Sequence, residues 1–357
     1  MTLGIIDVGT NSIHLLIGIL GLDGKFHILL KERDLTRLGE DGLANNALTP
    51  KAMRRAKEVL KRYAALIRQC GVDHIEAVAT SAVREARNGR AFVRQVRSQL
   101  SIPLRIISGR EEARLIYLGV LQAHRFRRAT AIITIGGGSA QVMHGSGRRL
   151  NYVGSVPLGG ARLAQRFIHH DLPFFEECAA LSQAARRVWA PTVRAFRRHR
   201  WHEALGSSAT IYQLMLAAYL QTHRHISKHK PHRLTMSQQA LRRLVAWLSA
   251  STAKERIQLP GLDPRREDLA LPTGIVLLTW MEECGVKRLR YASGSLREGL
   301  VIDYIIRHHQ RMAGRMEHPL AEWVNANGEG ELMPLRRPVL FQRIARPRRR
   351  LKERQQR

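Results

Sequence analysis

IIDVGTNSIHL, residues 5–15, and IITIGGGSAQV, residues 132–142, spell one pattern twice. Each runs two β-branched apolar residues, one variable position, Val or Ile, Gly, two small or polar residues and Ser. An apolar run, a glycine turn and a second apolar run predict two antiparallel strands joined by a tight turn. The variable position is Asp7 in the first copy and Thr134 in the second, so one turn is approached by a carboxylate and its counterpart is not. A unit that recurs after about 127 residues in a chain of 357 implies two similar lobes rather than one core.

The surroundings of the two copies repeat as well. After the first, apolar or alternating runs at 3–8, 13–20 and 25–33 predict three consecutive strands. A helix follows, with Thr49 as N-cap, Pro50 at its first position and Gly71 closing it. Strand HIEAVAT, a helix over 81–100, strand LRIIS and a further helix complete the unit; Ser108 and Glu111 have capping-box spacing at the start of that last helix. After the second copy come strands AQVMHG and 149–155, then helices, then EALGSS leading into a helix near Ala209. KRLRYAS leads into a helix over 295–307. The fold class is therefore α/β, with one lobe over 1–124 and another, carrying helical insertions, over 125–311, their glycine turns meeting in a central cleft. Residues 312–357 read as a basic, partly disordered tail with little to bury.

With 59 Lys plus Arg against 29 Asp plus Glu, the formal net charge is +30, which predicts attraction to polyanions. Cys70, Cys178 and Cys284 are widely spaced and form no C-x-x-C pair, which speaks against a disulfide framework or a zinc site and suits the cytoplasm. The apolar stretch 3–22 is interrupted by Asp7, Asn11 and His14 and reads as buried strands, neither signal peptide nor membrane span. His223, His225, His229 and His232 match no ligand spacing and sit among cations, as a solvated basic loop would.

Glycine turns between strands expose successive backbone N–H groups and admit a phosphate closely. Three are present: Gly9, Thr10, Asn11 and Ser12; Gly136, Gly137, Gly138 and Ser139; and Gly206, Ser207 and Ser208, which opens a helix whose dipole adds to the attraction. An ordinary hairpin turn accounts for any one alone, but three at corresponding places point to phosphate. A carboxylate beside such a turn repels an anion unless a cation sits between, so Asp7 is a candidate metal ligand. The bland alternative is that Asp7 caps its own turn.

IIDVGTNSIHLLIG, ATSAVREARN, ISGREEARLIYLGV, IGGGSAQV, SVPLGGARLAQRF, GSSATI and SGSLREGLVID occur in this order. Together they resemble the signature blocks of the exopolyphosphatase and guanosine pentaphosphate phosphohydrolase (Ppx/GppA) family, over roughly residues 3–310. The resemblance implies two ribonuclease-H-like lobes of the actin-like ATPase superfamily. It also implies release of terminal phosphate from inorganic polyphosphate or pppGpp with Mg²⁺ or Mn²⁺, and often a homodimer. On it, Glu112 is the catalytic base and Arg84 faces the phosphate chain. Without it, Glu112 would merely complement a helix dipole and Arg84 would be a surface arginine.

The chain departs from the family at three acids. Where the family usually reads DIGGGSTE and SDGALREG, Thr134, Gln141 and Ser293 stand at the acidic positions, and Ala209 replaces a usual glycine. Each lost charge contact, at roughly 2–4 kcal/mol, lowers the rate by about 10¹–10³. Three functions follow: a hydrolase with a weakened metal site, an impaired binder of polyphosphate or alarmone, and an ATPase or kinase of the wider superfamily. The segment 186–200 reads as a basic helix, and this helix, the loop 223–233 and the tail are candidate guides for a polyanion. Nucleic acid is the competing ligand, held through its backbone without sequence preference; no membrane association is expected.

Overall fold

The computed structural model describes residues 1–21, 25–43, 45–223 and 234–312. The tail beyond Met312 and the histidines at 225, 229 and 232 lie outside the described residues. His223 is described, and its ring stacks on Tyr219 at 4.1 Å.

The first lobe is β1 (Thr2–Val8), β2 (Ile13–Leu20), β3 (Phe26–Asp34), α1 (Pro50–Gln69), β4 (His74–Ala79), α2 (Ser81–Glu85), α3 (Gly89–Leu100), β5 (Leu104–Ile106) and α4 (Gly109–His124). Its sheet has the order β3-β2-β1-β4-β5. The second unit is β6 (Thr130–Ile135), β7 (Ala140–Ser146), β8 (Arg149–Val156), α5 (Gly160–Phe167), α6 (Phe175–Phe196), β9 (Glu203–Ser207) and α7 (Ala209–Leu220). It continues with β10 (Thr235–Ser237), α8 (Gln238–Ser249), α9 (Ala253–Gln258), α10 (Glu267–Cys284), β11 (Arg288–Tyr291) and α11 (Leu296–Met312). Its sheet has the order β10-β11-β9-β6-β7-β8. With β10 set aside, β8-β7-β6-β9-β11 repeats the first sheet strand for strand, so the duplicated sequence is a duplicated topology. Strand β6 is buried along its whole length, as expected of a central strand covered on both faces.

Helices α4 and α11 lie between the sheets. Leu115 and Val120 of α4 and Leu300 and Ile305 of α11 share one core with Leu3 and Ile5 of β1, Ile132 of β6 and Met143 of β7. Each of the two helices crosses the other at a glycine. A Cβ on Gly299 would lie 1.8 Å from Leu115 O, and one on Gly119 would lie 2.2 Å from Ser295 O. No side chain fits there, so glycine permits the close approach that brings the start of α4 to the cleft.

Three local expectations need correction. The helix expected over 81–100 is two helices: Ala86 is extended, and Asn88, ahead of the second helix, pairs with Leu48, its Oδ1 accepting from Leu48 N and its Nδ2 donating to Leu48 O, both at 2.8 Å. Ser108 does cap α4, accepting from Glu111 N at 3.1 Å, but the reciprocal half of the capping box is missing. The Glu111 carboxylate pairs with Arg105 at 2.6 Å instead. The basic helix expected over 186–200 ends at Phe196, and its Trp189, Val193 and Phe196 are buried in the second core. Thr49 caps α1 as its sequence implies, accepting from Ala52 N at 3.2 Å, a contact worth about 1 kcal/mol.

Candidate active site

The two glycine turns follow β1 and β6 and are built alike. Gly9 N donates to Ser12 O at 3.0 Å and Gly136 N to Ser139 O at 2.8 Å, so each turn closes on one bond and the amides between are not consumed by it. The carbonyls between are held from outside. Thr10 O and Asn11 O accept from Gly39 N and Arg37 N at 2.9 and 3.0 Å. Gly136 O and Gly137 O accept from Gly160 N and Arg162 N at 2.9 and 3.0 Å. Anchoring the carbonyls fixes the peptide planes, which preorganises the amides for an anion. The turns touch each other: a Cβ on Gly137 would meet Thr10 Cβ at 3.1 Å, and one on Gly138 would meet Ser81 Oγ at 2.5 Å and Thr10 Oγ1 at 2.7 Å. Residues 9–12 and 136–139 thus face each other across one cleft.

Glu112, buried in the first turn of α4, receives a hydrogen bond from Arg84 Nη1 at 2.9 Å. Burial pushes its carboxyl above the ordinary value, against the charge and hydrogen bond of Arg84. Arg84 at the end of α2 also donates to Ile107 O at 3.2 Å, which fixes its guanidinium. Beside them lies Glu85, which sequence reasoning did not single out. It accepts from Ser81 Oγ at 2.7 Å and pairs with Arg162 of α5, whose Nε donates to Gly138 O at 2.9 Å. Glu85 and Arg162 therefore lock the first lobe onto the second lobe's glycine turn.

Asp7, one residue before the end of β1, is in register with His14 of β2, and His14 with Arg33 of β3, so the three form a row on one sheet face. The Asp7 carboxyl is pushed up to about 7: withdrawal from water raises it, Arg297 opposes, and the Glu112 and Glu298 carboxylates raise it further. His14 is pushed down to about 2 by burial and by Arg297, Arg33, Arg266 and Lys31, so its neutral ring accepts from Arg297 Nη1 at 3.2 Å. For Glu298, burial acts upward, but Arg297 and the Ser295 hydroxyl outweigh it and hold the carboxyl below its usual range. Arg266, preceding α10, is only 8 % exposed and reaches Ser12 Oγ at 3.2 Å. Burial and the nearby Arg33 bring it down to about 10. Its Nε and the Nδ2 of Asn11 are buried donors with no protein partner. Buried donors are nearly always satisfied, so two unspent ones at one turn mark a place for an acceptor.

The second lobe presents neutral groups. Thr134 pairs with Gln141 of β7 on one side and with Ser207 of β9 on the other, so the lost acids of the turn lie side by side. Gln141 Nε2 donates to Ser139 Oγ at 2.8 Å and to Ser155 Oγ at 3.4 Å. Ser207 Oγ donates to Gly294 O at 2.8 Å, which brings the third turn to the segment of Ser293. Ser208 has φ +134°, a region that favours glycine, and its hydroxyl caps α7 by accepting from Ile211 N at 3.2 Å. Such strain in a turn that opens a helix is typical of ligand-binding backbone.

This geometry of two facing glycine turns, a buried Glu at a helix start and an Arg paired to it coincides with a sequence match. Residues 21–308 match the profile of the Ppx/GppA phosphatase family. The chain belongs to the Ppx/GppA phosphatase family. Its structure is similar to that of an exopolyphosphatase from Cytophaga hutchinsonii, 28% identical over 86% of this chain and 97% of that chain, with a TM-score of 0.77. It is also similar to the Aquifex aeolicus Ppx/GppA family member, 23% identical over 86% and 98% of the two chains, TM-score 0.71. An exopolyphosphatase-like protein, 22% identical over 85% and 97%, gives a TM-score of 0.75. These two lower identities speak for the fold alone. The duplicated α/β plan described above is the fold shared with these proteins.

Glu85, Arg162, Arg266 and Arg297 were missed because their neighbours are remote in sequence. Glu85 adjoins Arg84 in SAVREARN, and Arg297 lies in SLREG, so both stand inside blocks already noted. Arg266, 254 residues from Ser12, gave no signal. Among the described residues no three His, Cys, Asp or Glu gather as a metal site, and no helix is long and apolar enough to cross a membrane.

Proposed function

We propose that this chain is a phosphoanhydride hydrolase that releases terminal phosphate from inorganic polyphosphate, with pppGpp as the poorer substrate. The observation that carries the reading is the pair of unspent buried donors, Asn11 Nδ2 and Arg266 Nε, at a turn whose carbonyls are already anchored. Beyond them the cations Arg33 and Lys31 continue along β3, in register with His14 and Leu16. A row of cations suits a substrate that is phosphate throughout better than one that ends in a nucleoside.

The terminal phosphoryl group lies between the turns, its oxygens taking N–H donors from both. Glu112, held by Arg84 and raised by burial, accepts a proton from a water as that water's oxygen attacks phosphorus. The anhydride P–O bond breaks, inorganic phosphate leaves, and the bridging oxygen remains on the shortened chain. Arg266 and Arg297 offset its charge. A Mg²⁺ or Mn²⁺ ion would fit the donor set: Asp7 is a buried carboxylate near Glu112 and Glu298, and such ions take one or two carboxylates with water and phosphate oxygens. When bound, the ion neutralises phosphoryl charge. We place the protein in the cytoplasm; its three cysteines are free.

The second reading, a binder of polyphosphate with little turnover, is favoured by the neutral Thr134, Gln141 and Ser293. One assay separates them: phosphate release from long-chain polyphosphate and from pppGpp, by the protein and Glu112→Gln, with and without Mg²⁺ or Mn²⁺. The hydrolase reading expects release that falls about 10²–10⁴-fold in the variant. Binding without release in either protein would leave the binder.

A further inference from the structure

The end of the second lobe farthest from its glycine turn carries a separate concentration of charge. Strand β6 runs from Thr130 at that end to Ile135 at the turn, a distance of about 17 Å. Three segments converge there: the link from α4 to β6, the tip between β7 and β8, and the link from α6 to β9. Hydrogen bonds to backbone groups tie them together. Ser146 Oγ donates to Arg127 O at 2.8 Å, Gly147 N to Phe126 O at 3.2 Å and His202 N to Ala129 O at 2.9 Å. The His144 ring bonds Arg200 O at 3.0 Å.

The first segment exposes Arg127 and Arg128, the second Arg148 and Arg149. The third exposes Arg197, Arg198 and Arg200. Among the described residues, none of these seven guanidinium groups has a carboxylate within ion-pair distance, and Glu203 at the start of β9 is taken by Arg290. Some exposed arginines elsewhere are paired, Arg186 with Glu282 and Glu283, Arg114 with Asp303. A recess beside the third segment is lined by Arg197, His199, Arg200, Trp201 and Cys284. Trp201 leans on Phe196, with ring centroids 5.0 Å apart, and His199 stacks on His144 at 4.7 Å.

We propose that this face binds single-stranded nucleic acid, independently of the cleft. Unpaired cations on a hydrogen-bonded scaffold attract a phosphate backbone. All seven are arginine, whose planar fork both grips phosphate and stacks on bases. Rings beside them offer a stacking surface that a nucleic acid can use and polyphosphate cannot. The segments are loops and a hairpin tip, so contact is with backbone and base faces and carries little sequence preference.

The test uses the full chain and a labelled 20-nucleotide single-stranded RNA, read by fluorescence anisotropy across a salt series. Single-strand binding weakens with salt by a log–log slope of about 0.7 per phosphate neutralised. Arg197→Gln/Arg198→Gln/Arg200→Gln is expected to reduce that slope by about 2 and the affinity at 0.1 M salt by roughly tenfold or more, with phosphate release unchanged. Trp201→Leu is expected to weaken binding with the slope kept. Photocrosslinks from 4-thiouridine in the RNA are expected at residues 194–202. Absence of RNA binding at low salt, a slope unaltered by the triple substitution, or crosslinks confined to residues 313–357 would each overturn the proposal. So would displacement of the RNA by polyphosphate that the triple variant binds less well, which would assign the face to polyphosphate instead.

Discussion

Replacing Asp7 with Asn is expected to stabilise the metal-free protein while abolishing its activity. The Asp7 carboxyl stands at about 7 in the folded chain against 3.8 in its ordinary state, so folding favours its protonated form. Below pH 4 both states are protonated and the residue contributes nothing; as pH rises toward 7 the unfolded chain sheds the proton first, so stability falls, and above 7 the loss is complete. At about 1.4 kcal/mol per unit the ceiling is about 4 kcal/mol; Asp7 keeps some contact with water, so about 2 kcal/mol is expected. Asn does not titrate. The stability difference between Asp7→Asn and the parent, measured by urea unfolding in chelator at pH 5, 6, 7 and 8, is therefore expected to grow with pH and level off above 7. Millimolar Mg²⁺ is expected to restore the parent and leave the variant unchanged. A difference that is constant with pH, or that declines, would refute the electrostatic reasoning.

Thr134→Asp with Gln141→Glu restores two neighbouring acids, and the Ser139 and Ser155 hydroxyls now bonded to Gln141 can turn to donate to a carboxylate. Phosphate release is expected to rise about tenfold or more; an unchanged or lower rate would mean a site organised around neutral groups. Gly138→Ala places a methyl 2.5 Å from Ser81 Oγ and wedges the lobes, so activity is expected to fall more than tenfold for a stability loss of about 1–3 kcal/mol on thermal unfolding. Arg162→Met removes the tie to Glu85 and Gly138 O, and steady-state kinetics are expected to show KM for polyphosphate raised more than kcat is lowered.

Much of this protein is legible in its linear pattern. The paired strand–glycine–strand units gave both sheets, because a tight turn between β-branched runs is a local device and its period is visible without any partner. Asp7, Glu112 and the three turns were named from the same local signals together with the family blocks. The helix over 81–100 was misread: it breaks where Ala86 is extended and Asn88 pairs with both backbone groups of Leu48, 40 residues away. Apolar periodicity continues across that break and cannot reveal it.

Short-range periodicity and turn chemistry were enough for the two-lobed α/β plan, the succession of strands along the chain and the three glycine turns with Asp7 beside the first. The tertiary structure decided what those residues meet. It put Arg84 on Glu112, locked Glu85 to Arg162 across the cleft, and buried Arg266 against Ser12 with a donor unspent. It also gathered unpaired arginines from three separate segments onto one face. Those relations depend on chain closure over 28 to 254 residues, and a pattern only a few residues long carries no record of them.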